Sequence, residues 1–242
     1  MDLSGKRLGW GALVSVLLLV LFFAFLFSYG EKVIDGIPPD SLPPAVALTV
    51  KSVYRLSVDN VCRGETISRG SAVVFGRKAL TARHVFAPMI TETNLAADSA
   101  CYAVRLVHIP DGASEGLRVS ALPVDMKVFK DAALLALSDS PSTIPASICF
   151  SNEYHTGDTI YIAGYPRASG HRLTVIRNVI AGIQGKNHPA YIFSNGGDLG
   201  GGGMSGGAVI DARGCVIGIY TILSRFRNGS VTLTGLEDWL KE

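Results

Sequence analysis

Residues 8–29 run for 22 positions without a charge, LGWGALVSVLLLVLFFAFLFSY. As a helix rising 1.5 Å per residue, such a run spans about 30 Å, the thickness of a bilayer's hydrocarbon core. Lys6 and Arg7 stand just before it. Positive flanks of this kind stay cytoplasmic, so the rest of the chain is expected on the far side of the membrane, periplasmic or extracellular. Trp10 and Tyr29 are expected as interfacial anchors. A cleaved signal peptide is the competing reading. Ser28 and Gly30 put small residues at the −3 and −1 positions of a cut after Gly30, which would release a secreted protein. The run is long for a signal-peptide core of about 7–15 residues. A buried globular helix is the third reading. Residues 1–30 are therefore assigned as a cytoplasmic tip and transmembrane signal anchor, and both leading readings export the body of the chain.

That body is a folded one. Hydrophobic residues make up 48% of the 242 and charged ones 17%, which excludes a disordered chain. The 22 Lys and Arg against 20 Asp and Glu leave a net charge of +2 with no basic stripe, so no nucleic-acid partner is expected. Residues 31–45 hold Pro38, Pro39, Pro43 and Pro44 and read as an extended spacer between membrane and domain. Short runs rich in Val, Ile, Leu and Tyr follow at 45–58, 71–75, 102–107, 132–137, 159–163, 173–179, 208–210 and 216–222. Gly, Asn, Asp and Pro separate them, the pattern of an all-β sandwich or barrel. A short terminal helix is expected near 236–240. The Ser- and Pro-rich stretch 138–146 reads as a crossover dividing the body into halves at 46–140 and 147–242.

Cys62, Cys101, Cys149 and Cys215 are far apart in sequence, so no C-x-x-C metal or redox motif exists. An even number in an exported domain suggests two disulfides. Of the three connectivities, Cys62–Cys101 with Cys149–Cys215 keeps each bond within one half. Four buried free thiols remain the alternative.

Three segments carry chemistry: Ala79-Leu80-Thr81-Ala82-Arg83-His84-Val85, Val128-Phe129-Lys130-Asp131-Ala132-Ala133-Leu134-Leu135, and the Gly-rich GGGGMSGG of 200–207 around Ser205. Taken singly, a histidine after a strand is a satisfied polar residue, an aspartate before one is turn chemistry, and a Gly-rich loop is a turn. In the order His, Asp, Ser they resemble the trypsin/chymotrypsin-like serine protease family, including its bacterial HtrA-type branch. LTARHV matches the histidine motif, DAALL the aspartate motif and GMSGGAVID the serine motif; GCVIGIYT resembles the strand after the serine. The resemblance spans about 46–235. It implies a chymotrypsin-like fold of two six-stranded antiparallel β-barrels over 46–242, here preceded by one N-terminal transmembrane helix, with the site in the cleft between the barrels. No second module of the PDZ-like kind is expected.

A serine hydroxyl is a poor nucleophile at neutral pH and needs a base within reach. An imidazole can take a proton and return it to a leaving amine. A carboxylate fixes the imidazole tautomer and stabilises its cation. The resemblance implies His84 as general base, Asp131 as its orienter, Ser205 as nucleophile, and the amides of Gly203 and Ser205 as the oxyanion hole. No Gly-Lys-Ser/Thr follows the glycine run, so a phosphate loop is excluded. No cofactor and no metal are expected.

Met204 stands where many relatives carry Asp or Asn. An N-terminal activation salt bridge is therefore not expected. Leu199 matches the pocket floor, where cleavage after Lys or Arg would call for an acid; leucine suggests an apolar or small side chain, while a one-residue loop shift bringing Asp198 there would restore an acidic floor. Thr221, Ile222 and Leu223 match the strand that pairs with substrate backbone, and Thr221 resembles the hydroxyl that supports the catalytic aspartate. His108, His155, His171 and His188 lie in loop-like contexts without metal-ligand spacing and read as surface residues. The expected function is a membrane-anchored serine endopeptidase acting on proteins or peptides. The alternative is a catalytically silent protease-like module that binds peptides or partner proteins at the membrane.

Overall fold

A computed structural model of the chain describes residues 36–87, 101–109, 117–127, 130–138, 148–185, 191–194, 202–224 and 227–241. The charge-free run at 8–29 and most of the crossover at 138–146 lie outside them. Among the described residues, no helix is long and apolar enough to cross a membrane.

Twelve strands form two closed six-stranded antiparallel barrels. The first holds β1 (Val53–Asn60), β2 (Glu65–Phe75), β3 (Lys78–Ala82), β4 (Tyr102–His108), β5 (Leu117–Lys127) and β6 (Ala132–Leu137) in the order β1-β2-β3-β6-β5-β4. The second holds β7 (Thr159–Gly164), β8 (Thr174–Gln184), β9 (Tyr191–Ser194), β10 (Ala208–Asp211), β11 (Val216–Ser224) and β12 (Arg227–Thr232) in the order β10-β11-β12-β9-β8-β7. β6, the last strand of the first barrel, ends at Leu137, and β7, the first of the second, begins at Thr159.

Several strands are apolar on both faces because both faces are buried. Along β6, Ala133, Leu135 and Leu137 fill the first barrel, while Ala132 and Leu134 turn to the layer between the barrels. On β7, Ile160 and Ile162 fill the second barrel, and Tyr161 and Ala163 face that same layer. Val73, Phe75 and Leu80 meet Ile210, Ile219 and Val231 there. Each such side chain, fully buried, contributes about 1.5–3 kcal/mol. This shared layer fixes one barrel against the other, and so fixes any site assembled across them.

Two sequence expectations change at the N-terminal edge. The run 45–58 is not one strand: α1 (Pro44–Val50) precedes β1. Pro43 and Pro44 stand at the helix N-cap and first turn, where proline's missing N–H costs nothing. Val46 and Val50, four apart, bury one helical face in the inter-barrel layer. The expected spacer is, from residue 36 onward, docked chain. The Ile37 amide donates to the Val175 carbonyl (2.8 Å), Leu42 is buried, and the Thr49 hydroxyl donates to the Gly214 carbonyl (2.6 Å). At the other end α2 (Glu237–Leu240) appears where a terminal helix was expected, and the Trp239 indole donates to Asp125 of β5 at 2.9 Å.

The disulfides are Cys62–Cys101 and Cys149–Cys215, one in each half. They close stretches of 39 and 66 residues. On the chain-entropy account each removes about 4 kcal/mol of unfolded-state freedom.

Candidate active site

β3 ends in a 3₁₀ turn, Arg83–Phe86. Val85 and Phe86 are buried in the first barrel, which turns His84 outward. β3 pairs with β6 so that Ala82 faces Ala132, bringing the residues that follow one strand and precede the other together. Asp131 adopts φ 48°, an uncommon conformation for a residue with a side chain. Its carbonyl accepts the Arg83 amide (2.9 Å), its Oδ1 accepts the His84 amide (2.8 Å), and its Oδ2 lies 2.6 Å from His84 Nδ1. The Thr221 hydroxyl of β11, almost fully buried, donates to Oδ2 at 2.6 Å. Burial works against ionisation of Asp131, but the hydrogen bonds from the His84 ring, the Thr221 hydroxyl and the His84 amide prevail and hold the carboxyl below its ordinary value. One carboxylate thus joins a histidine of the first barrel to a threonine of the second.

Ser205 lies in the turn before β10, 4% exposed. Its own carbonyl accepts the Ser71 amide of β2 at 2.7 Å. The next residue, Gly206, donates its amide to Tyr220 of β11 (2.8 Å), and Tyr220 returns its amide to Gly207 (2.8 Å). Gly206 has φ 85°, and a Cβ there would lie 2.1 Å from the Ser71 carbonyl and 2.9 Å from the Ala82 amide, so only glycine fits. The serine turn is therefore wedged between β2 and β11, against the strand end that leads to His84 and beside the threonine that holds Asp131. Among the described residues, no hydrogen bond joins the Ser205 hydroxyl to the His84 ring.

Gly203 has φ 104°, and a Cβ there would lie 2.4 Å from the Tyr165 carbonyl. The Ser71 hydroxyl donates to the Gly203 carbonyl at 2.7 Å and accepts the Tyr165 amide at 2.9 Å. Among the described residues, the amides of Gly203 and Ser205 bond to no acceptor. Ser71 was not a sequence candidate. Its only trace there is a serine after glycine inside an apolar run, and nothing local marks its partners.

Leu199 lies outside the described residues, as does the glycine run 196–200. Ile222 and Leu223 follow Thr221 in β11, and their side chains are not described. Met204 is buried at 0% exposure in the core of the second barrel, among Ile162, Val209 and Ile217. His108 is not a surface loop residue: it ends β4, is buried beside Tyr54, and its Nδ1 lies 3.2 Å from the Val53 carbonyl. His171 is half-buried and pairs with Arg69 (3.2 Å), whereas His155 is exposed as expected. Among the described residues, no cluster of His, Cys, Asp or Glu could hold a metal ion.

Two closed barrels with a His–Asp pair from one and a glycine-flanked serine from the other define a chymotrypsin-like architecture. The family model for the trypsin-like peptidase domain matches residues 70–219. The chain belongs to the trypsin-like peptidase domain family. Comparison with curated proteins gives no match. Among solved structures, Deg5 is 19% identical with a TM-score of 0.60, over 80% of this chain and 89% of that one. The HtrA-type protease AlgW with a tripeptide is 21% identical with a TM-score of 0.59, over 81% of this chain and 62% of that one. The serine endoprotease from Yersinia pestis is 19% identical with a TM-score of 0.59, over 85% of this chain and 66% of that one. At these identities the likeness concerns the fold, and the chain spans about two thirds of the length of AlgW and the Yersinia pestis enzyme.

Proposed function

We propose that the chain is a serine endopeptidase working through Ser205, His84 and Asp131. The reading rests above all on the bonds that Asp131 makes to His84 and Thr221 across the two barrels, beside a serine turn whose Gly203 and Ser205 amides bond to no acceptor among the described residues. With Nδ1 committed to Asp131, the free ring nitrogen of His84 is Nε2. The Ser205 hydroxyl attacks the scissile carbonyl carbon while Nε2 takes its proton. The carbonyl oxygen gains negative charge and is met by the Gly203 and Ser205 amides, each donor worth about 10²–10³ in rate. The proton then passes from His84 to the leaving amine, the amine departs, and an acyl-enzyme remains. Water, deprotonated by the same nitrogen, releases the acid and restores the serine. The missing Ser205–His84 hydrogen bond is compatible with this course, since such bonds commonly tighten only with substrate bound.

The acyl side of the substrate pairs with the strand edge at Thr221, Ile222 and Leu223, and Leu199 favours an apolar or small side chain there. Met204, held in apolar surroundings, offers no carboxylate to an inserted N-terminus, so no activation of that kind is needed. Residues 8–29 anchor the chain in a membrane with residues 46–242 outside the cytoplasm.

A fluorophosphonate probe tests both halves of the reading. It is expected to label the full chain, to label His84→Ala only weakly and Ser205→Ala not at all, and the labelled species should sediment with membranes and resist an alkaline wash. Undiminished labelling of Ser205→Ala would refute the nucleophile assignment. Absence of any labelling or peptide turnover would favour the silent binding module, and release by the wash would refute the anchor.

A further inference from the structure

Arg69 and Arg167 stand in segments whose backbone touches the serine turn or the loop leading into it, His171 pairs with Arg69, and the mechanism uses none of the three. β2 makes its closest approach at Gly70 and Ser71. A Cβ on Gly70 would lie 2.9 Å from the Ser205 carbonyl and 2.8 Å from Val85, so no side chain fits there. Arg69 is thus the first side chain on β2 beyond that contact, and it is exposed. Arg167 arrives from the second barrel. Its amide donates to the Gly202 carbonyl at 2.8 Å, at the foot of the loop that presents the Gly203 amide, and it too is exposed. His171 links the two: its Nε2 lies 3.2 Å from the Arg69 guanidinium, and it follows Arg167 in the same short loop. Burial, then the positive charges of Arg69 and Arg55, hold the His171 imidazole below its ordinary value, with the Tyr165 backbone opposing and Arg167 adding to the effect. A neutral imidazole accepts from Arg69 and steadies it without adding charge. Among the described residues, no carboxylate pairs with Arg69 or Arg167.

The direction of a bound peptide follows from the two walls of the serine turn. β11 lies on one side, through Gly206 and Tyr220, and takes the acyl portion; β2 and the Arg167 loop lie on the other. An extended chain advances about 3.3–3.6 Å per residue, so the first two or three residues after the scissile bond pass Arg69 and Arg167. Two guanidiniums with no carboxylate partner among the described residues favour an anion there, and the planar donor fork suits a carboxylate.

We propose that Arg69 and Arg167, with His171 positioning Arg69, form a subsite selecting substrates that carry Asp or Glu within the first three residues on the leaving-group side. This rests on the proposed peptidase reading, and it names the substrate class of that same site.

The test uses the full chain in detergent and matched fluorogenic peptides, identical except for Glu or Gln at the second leaving-side residue. The Glu peptide is expected to show about a three- to tenfold higher kcat/KM at low salt, shrinking toward unity at high salt, as partly exposed charge pairs do. In Arg69→Gln/Arg167→Gln the Glu-to-Gln ratio should fall to about one, read within one enzyme so that its overall rate is immaterial. His171→Ala should lower the ratio partway and act on KM more than kcat. In parallel, Ser205→Ala is titrated with the same two peptides by fluorescence anisotropy. Cleavage of both peptides at equal rates, or a preference that survives in the double variant, overturns the subsite and leaves the peptidase reading standing. No cleavage together with tighter, arginine-dependent binding of the Glu peptide overturns the peptidase reading and leaves the subsite standing. Equal binding of the two peptides overturns the subsite.

Discussion

Ser71→Ala is the change that most directly probes how the two barrels build the site. The Ser71 hydroxyl is fully buried, donates to the Gly203 carbonyl at 2.7 Å and accepts the Tyr165 amide at 2.9 Å. Alanine removes both bonds and leaves a buried carbonyl and a buried N–H without those partners. A Cβ on Gly164 would lie 2.9 Å from this hydroxyl, so the surroundings are tight and a replacing water has little room. Each orphaned group costs about 1–3 kcal/mol, giving a total of about 2–6 kcal/mol against a typical stability of about 5–15 kcal/mol. The second consequence is chemical. The bond to the Gly203 carbonyl fixes the peptide after Gly203, and with the Arg167 amide on the Gly202 carbonyl fixing the peptide before it, it holds the backbone that aims the Gly203 amide. A complete loss of one oxyanion donor costs about 10²–10³, so a loosened one should cost about tenfold. Urea unfolding followed by tryptophan fluorescence, and the rate of fluorophosphonate labelling, read the two effects separately. A variant within about 0.5 kcal/mol of the parent that labels at the parent's rate would refute the claim that Ser71 holds this loop, because both buried groups would then have found other partners.

Thr221→Val removes the 2.6 Å hydrogen bond to Asp131 Oδ2 while keeping the side-chain volume, and should slow labelling about tenfold, with the Asp131 carboxyl rising toward its ordinary range. An unchanged rate would show that the His84 bonds alone orient the carboxylate. Acid should destabilise the fold through Asp59. Burial opposes its ionisation, but hydrogen bonds from Arg105, Thr66 and Ser57 and the Arg105 charge hold its carboxyl below the ordinary value. A depressed carboxyl stabilises the native state above its unfolded pKa of about 4, and that stabilisation is lost as pH falls through the lower native value. Asp59→Asn should therefore be less stable than the parent at pH 7 by about 1–2 kcal/mol and equally stable near pH 2, measured by urea midpoints across pH. A constant difference over that range would refute the assignment.

Much of the site was legible because the signals are local. A histidine behind an apolar strand, an aspartate opening AALLAL and a serine among glycines each keep their character within about eight residues, and their order along the chain completes the pattern. The paired halves of the disulfides were legible for the same reason: Cys62 and Cys101, and Cys149 and Cys215, each close a loop inside one half. Elements with contrary local chemistry were missed. β5 contains Pro123, which marks a non-strand or edge position and coincides here with an irregular register next to Asp125. β12 opens on Arg227-Asn228-Gly229, a turn signal, yet pairs with both β11 and β9. Residues 44–50 have strand-forming valines but a proline pair at their start, and helix wins because Thr49 and Val50, three and four positions after Val46, are buried together with it on one helical face.

By itself, the order of residues determined the periodicity of the strands, the halves of the body, and the types of side chain available for nucleophilic chemistry, since each depends on neighbours along the chain. Only the tertiary structure decided that Asp131 is held from the other barrel by Thr221, that Ser71 braces the Gly203 loop, and that Arg69 of one barrel meets His171 of the other, 102 positions away. Those contacts arise where two closed barrels meet, and a pairing between distant strands leaves no periodic mark in either of them.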